Sequence, residues 1–292
     1  MSKEPKVCVD INALVGEGPI WDEDAQVLYW IDILSSKLYV YDPVKKTNTE
    51  YDVGQHVGTV VPRKSGGVML AVYRGFASFD LETQELKIIN DPESHLDGNR
   101  FNDGKCDPAG RFWAGTMGYE KPSTQGSLYR MDTDFEVRRI LGNIGISNGI
   151  AWTQDNKTMY YADTVANQVW AFDYDIKTGD ITNQRTVIRT TKETGPPDGF
   201  TLDEEGMIWL AHYGGSSVRR WNPDTGEILQ TITLPTRQIT ACAFGGKKLD
   251  TLFITSAAQQ MSAEQLKAEP TAGNLFSVKV GVKGVPSIKF GG

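Results

Sequence analysis

Apolar residues along this chain fall in short runs, each broken by Gly, Asp or Pro before it reaches the ~11 residues that an amphipathic helix needs. The runs repeat. From Glu17 the chain reads EGPIWDEDAQVLYWID, and from Asn148 it reads NGIAWTQDNKTMYYAD. Both go from a polar residue and Gly through an apolar stretch to a polar turn, then to paired aromatics and an acid. DGFTLDEEGMIWLAHY from Asp198 and NDGKCDPAGRFWAGTM from Asn102 follow the same plan with one turn residue fewer. TVVPRKSGGVMLAVY from Thr59 and TACAFGGKKLDTLFIT from Thr240 are weaker copies. The equivalent first positions are 17, 59, 102, 148, 198 and 240, with separations of 42, 43, 46, 50 and 42 residues.

A period of ~40–50 residues with several strands per unit marks propeller blades. The unit from Asn148 resolves into four strands, GIAWT, TMYYAD, QVWAFDYD and QRTVIRT. Turns such as DYDIKTGD, NPDTGE and DLETQE carry hairpin chemistry between the last two strands of their units. Six units predict an all-β fold, a six-bladed β-propeller spanning residues 1–292 as one domain. A strand at about residues 5–11, KVCVDI, is expected to close the last blade, so that no long edge stays open. Residues 256–274 do not fit the pattern and suggest a short helical turn inside the sixth blade.

Composition agrees with many short strands and tight turns. The 292 residues include 30 Gly, 7 Trp, 11 Tyr and 11 Phe, and 39% are hydrophobic. Net charge is −7, and the absence of a Lys/Arg-rich run argues against nucleic acid as a partner. No stretch approaches ~18 apolar residues, and MSKEPKVCVDI lacks the apolar core of a signal peptide, so neither a membrane nor export is expected. Cys8, Cys106 and Cys242 make neither a zinc spacing nor a disulfide framework, which fits reduced thiols in a cytoplasmic protein. A closed ring has no long edge strand to force pairing, so a monomer is the default.

The repeat also nominates a site. The first residue of each innermost strand should stand at one mouth of a central channel. Those residues are Glu17, Thr59, Asn102, Asn148, Asp198 and Thr240, every one with a side-chain oxygen and none a cation. Turns before strands favour Asn and Asp in any case, but Glu17 has neither a turn nor a strand advantage. Converging carboxylate and amide oxygens suit a hard divalent cation, Ca²⁺ with six to eight oxygens or Mg²⁺ and Mn²⁺ with six. No EF-hand loop offers another calcium site. A nucleophilic reading is weaker: there is no G-x-S-x-G elbow, and His56, His95 and His212 have no Ser or Cys signature beside them. Arg100 and Asp103 flank Asn102 in NRFNDGK, a density of polar groups beyond what a turn requires.

GEGPIWD, NRFNDGKCDPAGRFWAGTM, ISNGIAWTQDNKTMYYAD, PDGFTLDEEGMIWLAHY and CAFGGKKLDTLFITSA together resemble the SMP-30/gluconolactonase family, especially its regucalcin branch, over essentially the whole chain. The resemblance implies one divalent metal in the channel, calcium first, with zinc, manganese or magnesium as alternatives. Its ligands would fall on Glu17, Asn148 and Asp198, with Asp198 also the favoured catalytic base. Substrate contacts would fall on Arg100, Asn102 and the acid after GTM, here Glu120. Asp103 is a candidate to orient a ligand or carry a proton. Gly118 and Tyr119, between Met117 and Glu120, depart from the family pattern, and Tyr119 stands where it would narrow the pocket or stack on a sugar ring. The implied activity is hydrolysis of sugar lactones such as gluconolactone to aldonic acids. Two other readings stay open: a non-enzymatic calcium-binding regulator, and a hydrolase of organophosphates or other ester-like substrates.

Overall fold

The structure is a computed structural model that describes residues 4–119 and 124–292. Its strands form six four-stranded antiparallel sheets, and in five of them four consecutive strands pair in chain order. The sixth combines both ends of the chain, with Lys6–Val9 pairing outside Leu275–Val278. The innermost strands are Gly16–Asp22, Val57–Pro62, Asn99–Cys106, Ser147–Trp152, Pro197–Leu202 and Ile239–Gly245. This is the six-bladed all-β propeller that the repeat predicts. Residues are buried throughout Val57–Pro62 and mostly exposed along the outermost Thr47–Asp52, so burial falls from the axis outward.

Blades adhere through aromatic residues. Trp21 of blade 1 stacks on Phe253 of blade 6 with ring centroids 5.9 Å apart. Phe76 meets Phe112 between blades 2 and 3, Trp113 meets Trp152 between blades 3 and 4, and Trp209 meets Phe244 between blades 5 and 6. Each such pair contributes about 0.5–1.5 kcal/mol beyond its area burial.

Turn chemistry recurs with the repeat. Asp42, Asp80, Asp175 and Asn222 each accept two backbone N–H bonds through Oδ1 from the residues two and three positions on. Asp107 and Asp203 close the turn after their inner strands in one way. In each, Oδ1 accepts two backbone N–H groups and Oδ2 accepts the indole N–H six residues later, from Trp113 or Trp209.

The irregular stretch in blade 6 holds one short helix, Ala263–Ala268, started by a capping box at Ser262. Residues 279–292 cross the face where the inner strands end. There the chain bonds to Leu249, Glu204, Pro62, Lys64 and Gly110 in turn, Lys289 pairs with Asp22 and Asp24 at 2.8 Å, and Phe290 is fully buried.

Candidate metal and substrate site

Every inner strand carries a register shift at the position the repeat singles out. Glu17 pairs with Ile31 but Ile20 pairs with Tyr29, so Gly18 and Pro19 oppose one residue. The same interruption follows Phe101, Asn148, Pro197, Ile239 and Val57. Such bulges bend the strand and re-aim its side chains. Glycine beside the bulge lets neighbouring blades close. A Cβ on Gly199 would lie 2.5 Å from the Ala241 Cβ of the next blade, and one on Gly149 would run into the Phe200 ring.

The bulges bring Glu17, Arg100, Asn102, Asn148, Asp198 and Thr240 around one cavity of about 440 Å³ at the channel mouth. Five of the six repeat positions therefore meet there. Thr59 does not: its buried hydroxyl donates to the Gly104 carbonyl at 3.0 Å. Thr240 lines the wall, but its hydroxyl is engaged by the Gly16 carbonyl at 2.5 Å. Both threonines hold blade to blade.

Asn148 is oriented by its neighbours. Thr164 Oγ1 donates to the Pro197 carbonyl at 2.9 Å, so it must accept from Asn148 Nδ2, also at 2.9 Å. The amide oxygen is left buried without a hydrogen-bond partner. Beside it stand two buried carboxyl groups. Glu17 is pushed well above the usual carboxylate range by burial, then by the charges of Asp198 and Asp103. Asp198 is pushed well above it by burial, then by Asp103. A buried orphan carbonyl and two buried carboxyl groups held away from their charged form are the donor set a hard divalent cation relieves. Among the described residues no three His, Cys, Asp or Glu side chains are grouped to hold a metal. The set here differs in taking an amide oxygen as its third donor, and on that basis the residues fit a divalent ion.

Arg100 is 8% exposed, and burial lowers its pKa to about 10. Its Nη1 donates to the Phe101 carbonyl at 3.0 Å and to Asn102 Oδ1 at 2.7 Å, and among the described residues Nε and Nη2 make no hydrogen bond. Asn102 Nδ2 donates to the Ser147 carbonyl at 2.8 Å, tying blade 3 to blade 4 immediately before Asn148. Asn102 thus supports Arg100 as well as facing the cavity. Asp103 lies deeper, in a constriction of the channel shared with Lys105. Its Oδ1 accepts from the Gly104 N–H at 2.6 Å, and burial raises its pKa although Lys105 and that bond oppose the shift. Lys105 donates to the Phe200 carbonyl at 2.6 Å.

Tyr119 forms part of the cavity wall, with the Arg100 guanidinium 5.8 Å from its ring centre. Its hydroxyl is 2.7 Å from His56 Nδ1, which places His56 on the rim behind Tyr119. His95 is exposed, and His212 is fully buried between Gly195 and Trp221. Glu120 lies outside the described residues. Cys106 and Cys242 are buried free thiols and Cys8 is a half-buried one.

Thr164, Tyr213 and Met117 also line the cavity, and the first positions of the repeat do not reveal them. Tyr213 and Met117 end their repeat copies, and Thr164 directly follows the end of its own, the same place once the shorter turn of the first two is allowed for. Comparing the ends of the copies as well as their first positions finds them.

Comparison with known proteins extends these observations. The profile of the SMP-30/Gluconolactonase/LRE-like region matches residues 15–258. A protein of Bacillus subtilis (strain 168), provisionally named a sugar lactone lactonase, is 38% identical over 283 residues, 97% of each chain. Regucalcin of Danio rerio is 41% identical over 281 residues, 95% of each chain. Among solved structures, regucalcin of Agrobacterium tumefaciens, described as a calcium-binding protein, superposes with a TM-score of 0.93 at 29% identity, covering 97% of this chain and 96% of its own.

Proposed function

This chain belongs to the SMP-30/Gluconolactonase/LRE-like family, and from that premise we propose that it hydrolyses sugar lactones to aldonic acids with one divalent cation held by Glu17, Asn148 and Asp198. The observation that carries this reading is the unpartnered Asn148 oxygen in one cavity with two buried carboxyl groups whose pKa values burial drives up, with Arg100 on the wall of the same cavity. A relative named for lactone hydrolysis supports the substrate class. The cavity's volume of about 440 Å³ falls within the range of small-molecule sites. Calcium is the first expectation for the ion, because the donors are all oxygens and a structural relative is described as calcium-binding.

When bound, such an ion supplies Lewis acidity at the lactone carbonyl and a water of lowered pKa. The protein's own groups do the rest. Arg100 offers its remaining N–H donors to sugar hydroxyls and to the carboxylate of the product. Asn102 holds Arg100 in place. Asp198 would help hold the ion, and we assign its carboxylate to accept the proton released by the attacking water. The water oxygen bonds to the carbonyl carbon, the bond between that carbon and the ring oxygen breaks, and Asp198 returns its proton to the ring oxygen, which leaves as a hydroxyl. Asp103 lies in the constriction below, close enough to raise the pKa of Asp198 through its charge. Tyr119 covers Arg100 from the rim and limits the width of the sugar that enters.

A calcium-binding regulator without turnover is the second reading, favoured by the description of the Agrobacterium relative. A pure binder has no need of Arg100 on the same wall.

The test is acid release from gluconolactone by metal-stripped protein, then with Ca²⁺, Zn²⁺, Mn²⁺ or Mg²⁺ restored. Activity should return with metal. Asp198→Ala should lose roughly 10²-fold or more in kcat. Arg100→Ala should raise KM about 10- to 100-fold, the worth of a charge-assisted hydrogen bond. Tight calcium binding with no turnover on any lactone would sink the enzymatic reading.

A further inference from the structure

In four of the six blades a buried polar group tied to the second strand clasps the residues just ahead of the site position, and these are the four that carry Glu17, Arg100, Asn102, Asn148 and Asp198. In blade 1, Asp32 stands opposite Gly16 on the second strand. Its two carboxylate oxygens accept the N–H groups of Leu14 at 2.8 Å and Val15 at 2.9 Å, three and two residues ahead of Glu17. In blade 4, Asp163 stands opposite Ser147. It accepts from Gly145 at 2.9 Å and Ile146 at 3.1 Å, again three and two residues ahead of the site residue, here Asn148.

Blade 5 makes the same connection with different chemistry. His212 stands opposite Pro197, and its Nδ1 is 3.1 Å from the carbonyl of Gly195, three residues ahead of Asp198. The indole N–H of Trp221 donates to His212 Nε2 at 3.2 Å, so the ring proton sits on Nδ1 and is donated to Gly195. Blade 3 uses an intermediary. Thr116, opposite Phe101, donates to Glu93 Oε1 at 2.9 Å. Asn99, three residues ahead of Asn102, donates to Glu93 Oε2 at 3.0 Å.

In the two remaining blades the second strand makes no such link. Val72 is apolar at the corresponding place in blade 2. In blade 6 Ser256 donates to Asn274 instead, and the N–H of Arg237, three residues ahead of Thr240, is accepted at 2.8 Å by Glu269, a half-buried acid after the short helix rather than a buried group tied to the second strand. Those blades carry Thr59 and Thr240, whose hydroxyls are engaged by backbone carbonyls of adjacent blades. A clasp needed only to build a blade would be expected in all six. We propose that Asp32, Asp163, His212 and the Glu93–Thr116 pair are positioning residues. Each fixes how far its inner strand advances before the bulge, and so sets the placement of Glu17, Asn148, Asp198 and the Arg100–Asn102 pair. The inference rests on the metal and substrate roles assigned above.

Those roles make the clasps separable. Asp163→Asn keeps the shape but sets an amide N–H₂ against a backbone N–H. It should weaken Ca²⁺ or Mn²⁺ binding, read by calorimetric titration of the stripped protein, by about 10- to 100-fold. KM for gluconolactone at saturating metal should stay within about threefold. Glu93→Gln should do the reverse, raising KM about tenfold while metal affinity stays within about threefold. Ser256→Ala, at the equivalent place in a clasp-free blade, should change neither. Asp32→Asn repeats the metal arm at Glu17, and if neither aspartate variant folds, the Glu93→Gln comparison decides alone. Clasp variants with lowered thermal midpoints but wild-type metal affinity and KM would overturn the proposal and leave the lactonase reading standing. Wild-type protein that binds no divalent ion and turns over no lactone would overturn that reading, and the positioning role with it.

Discussion

Glu17, Asp103 and Asp198 are buried carboxyl groups in one channel, with Arg100 and Lys105 as the nearby cations. Burial raises all three carboxyl pKa values, so without metal they favour the folded state only while protonated. That contribution is complete below the ordinary carboxylate range and is lost as pH rises through the raised folded values. A divalent ion should therefore raise the thermal midpoint of stripped protein more at pH 8 than at pH 5, and should release protons on binding. An equal gain at both pH values would argue against Glu17 and Asp198 as ligands. His212 behaves oppositely. Burial lowers its pKa from 6.5 to about 4, so the unfolded chain takes up the proton first. Its stabilisation is complete above about pH 6.5 and fades as pH falls towards 4, by about 2 kcal/mol between pH 7 and pH 5. Urea unfolding of wild type and His212→Gln at both pH values should show that loss in the wild type alone. Five oxygen-bearing positions at the cavity were legible because the spacing of the repeat places them. The misplacement of Thr59 and the orientation of Asn148 were not, since both depend on partners in other blades, Gly104 and the Thr164–Pro197 pair.

At the scale of strands, short runs of alternating apolar residues gave the blades with small error. The strands read as GIAWT and TMYYAD are observed as Ser147–Trp152 and Thr158–Asp163. Alternation has no symbol for a bulge, which inserts a residue without altering which residue types appear. The sequence offers a glycine near the bulge, but its purpose shows only when the next blade is in place. Gly199→Ala forces a methyl group against Ala241, and overpacking of this kind costs about 1–3 kcal/mol. Because Asp198 is the adjacent residue, activity should fall by more than the loss of folded protein accounts for. Denaturant titration beside kcat on the folded fraction checks this, and wild-type kcat in the variant would show that the bulge tolerates displacement.

For the whole molecule, the repeat predicted the ring and the N-terminal strand that pairs into the sixth sheet. It was silent about residues 279–292, which have no counterpart in the other units and whose place is set by contacts with five blades. Removing them takes Phe290 out of the core and exposes the residues it covers. Loss of that buried ring alone costs about 1.5–3 kcal/mol, so the truncated protein should unfold at lower urea. KM of the fraction that remains folded should be unchanged, because the segment lies across the end of the channel opposite Glu17, Asn148 and Asp198. A raised KM would mean that the two ends communicate. The pairing of Lys6–Val9 with Leu275–Val278 also has a consequence in time. At the ~5–20 residues per second of a translating ribosome, the first strand emerges on the order of ten to fifty seconds before its partner. Throughout that interval the nascent chain carries an unpaired β-edge that a chaperone or a neighbouring polypeptide can capture.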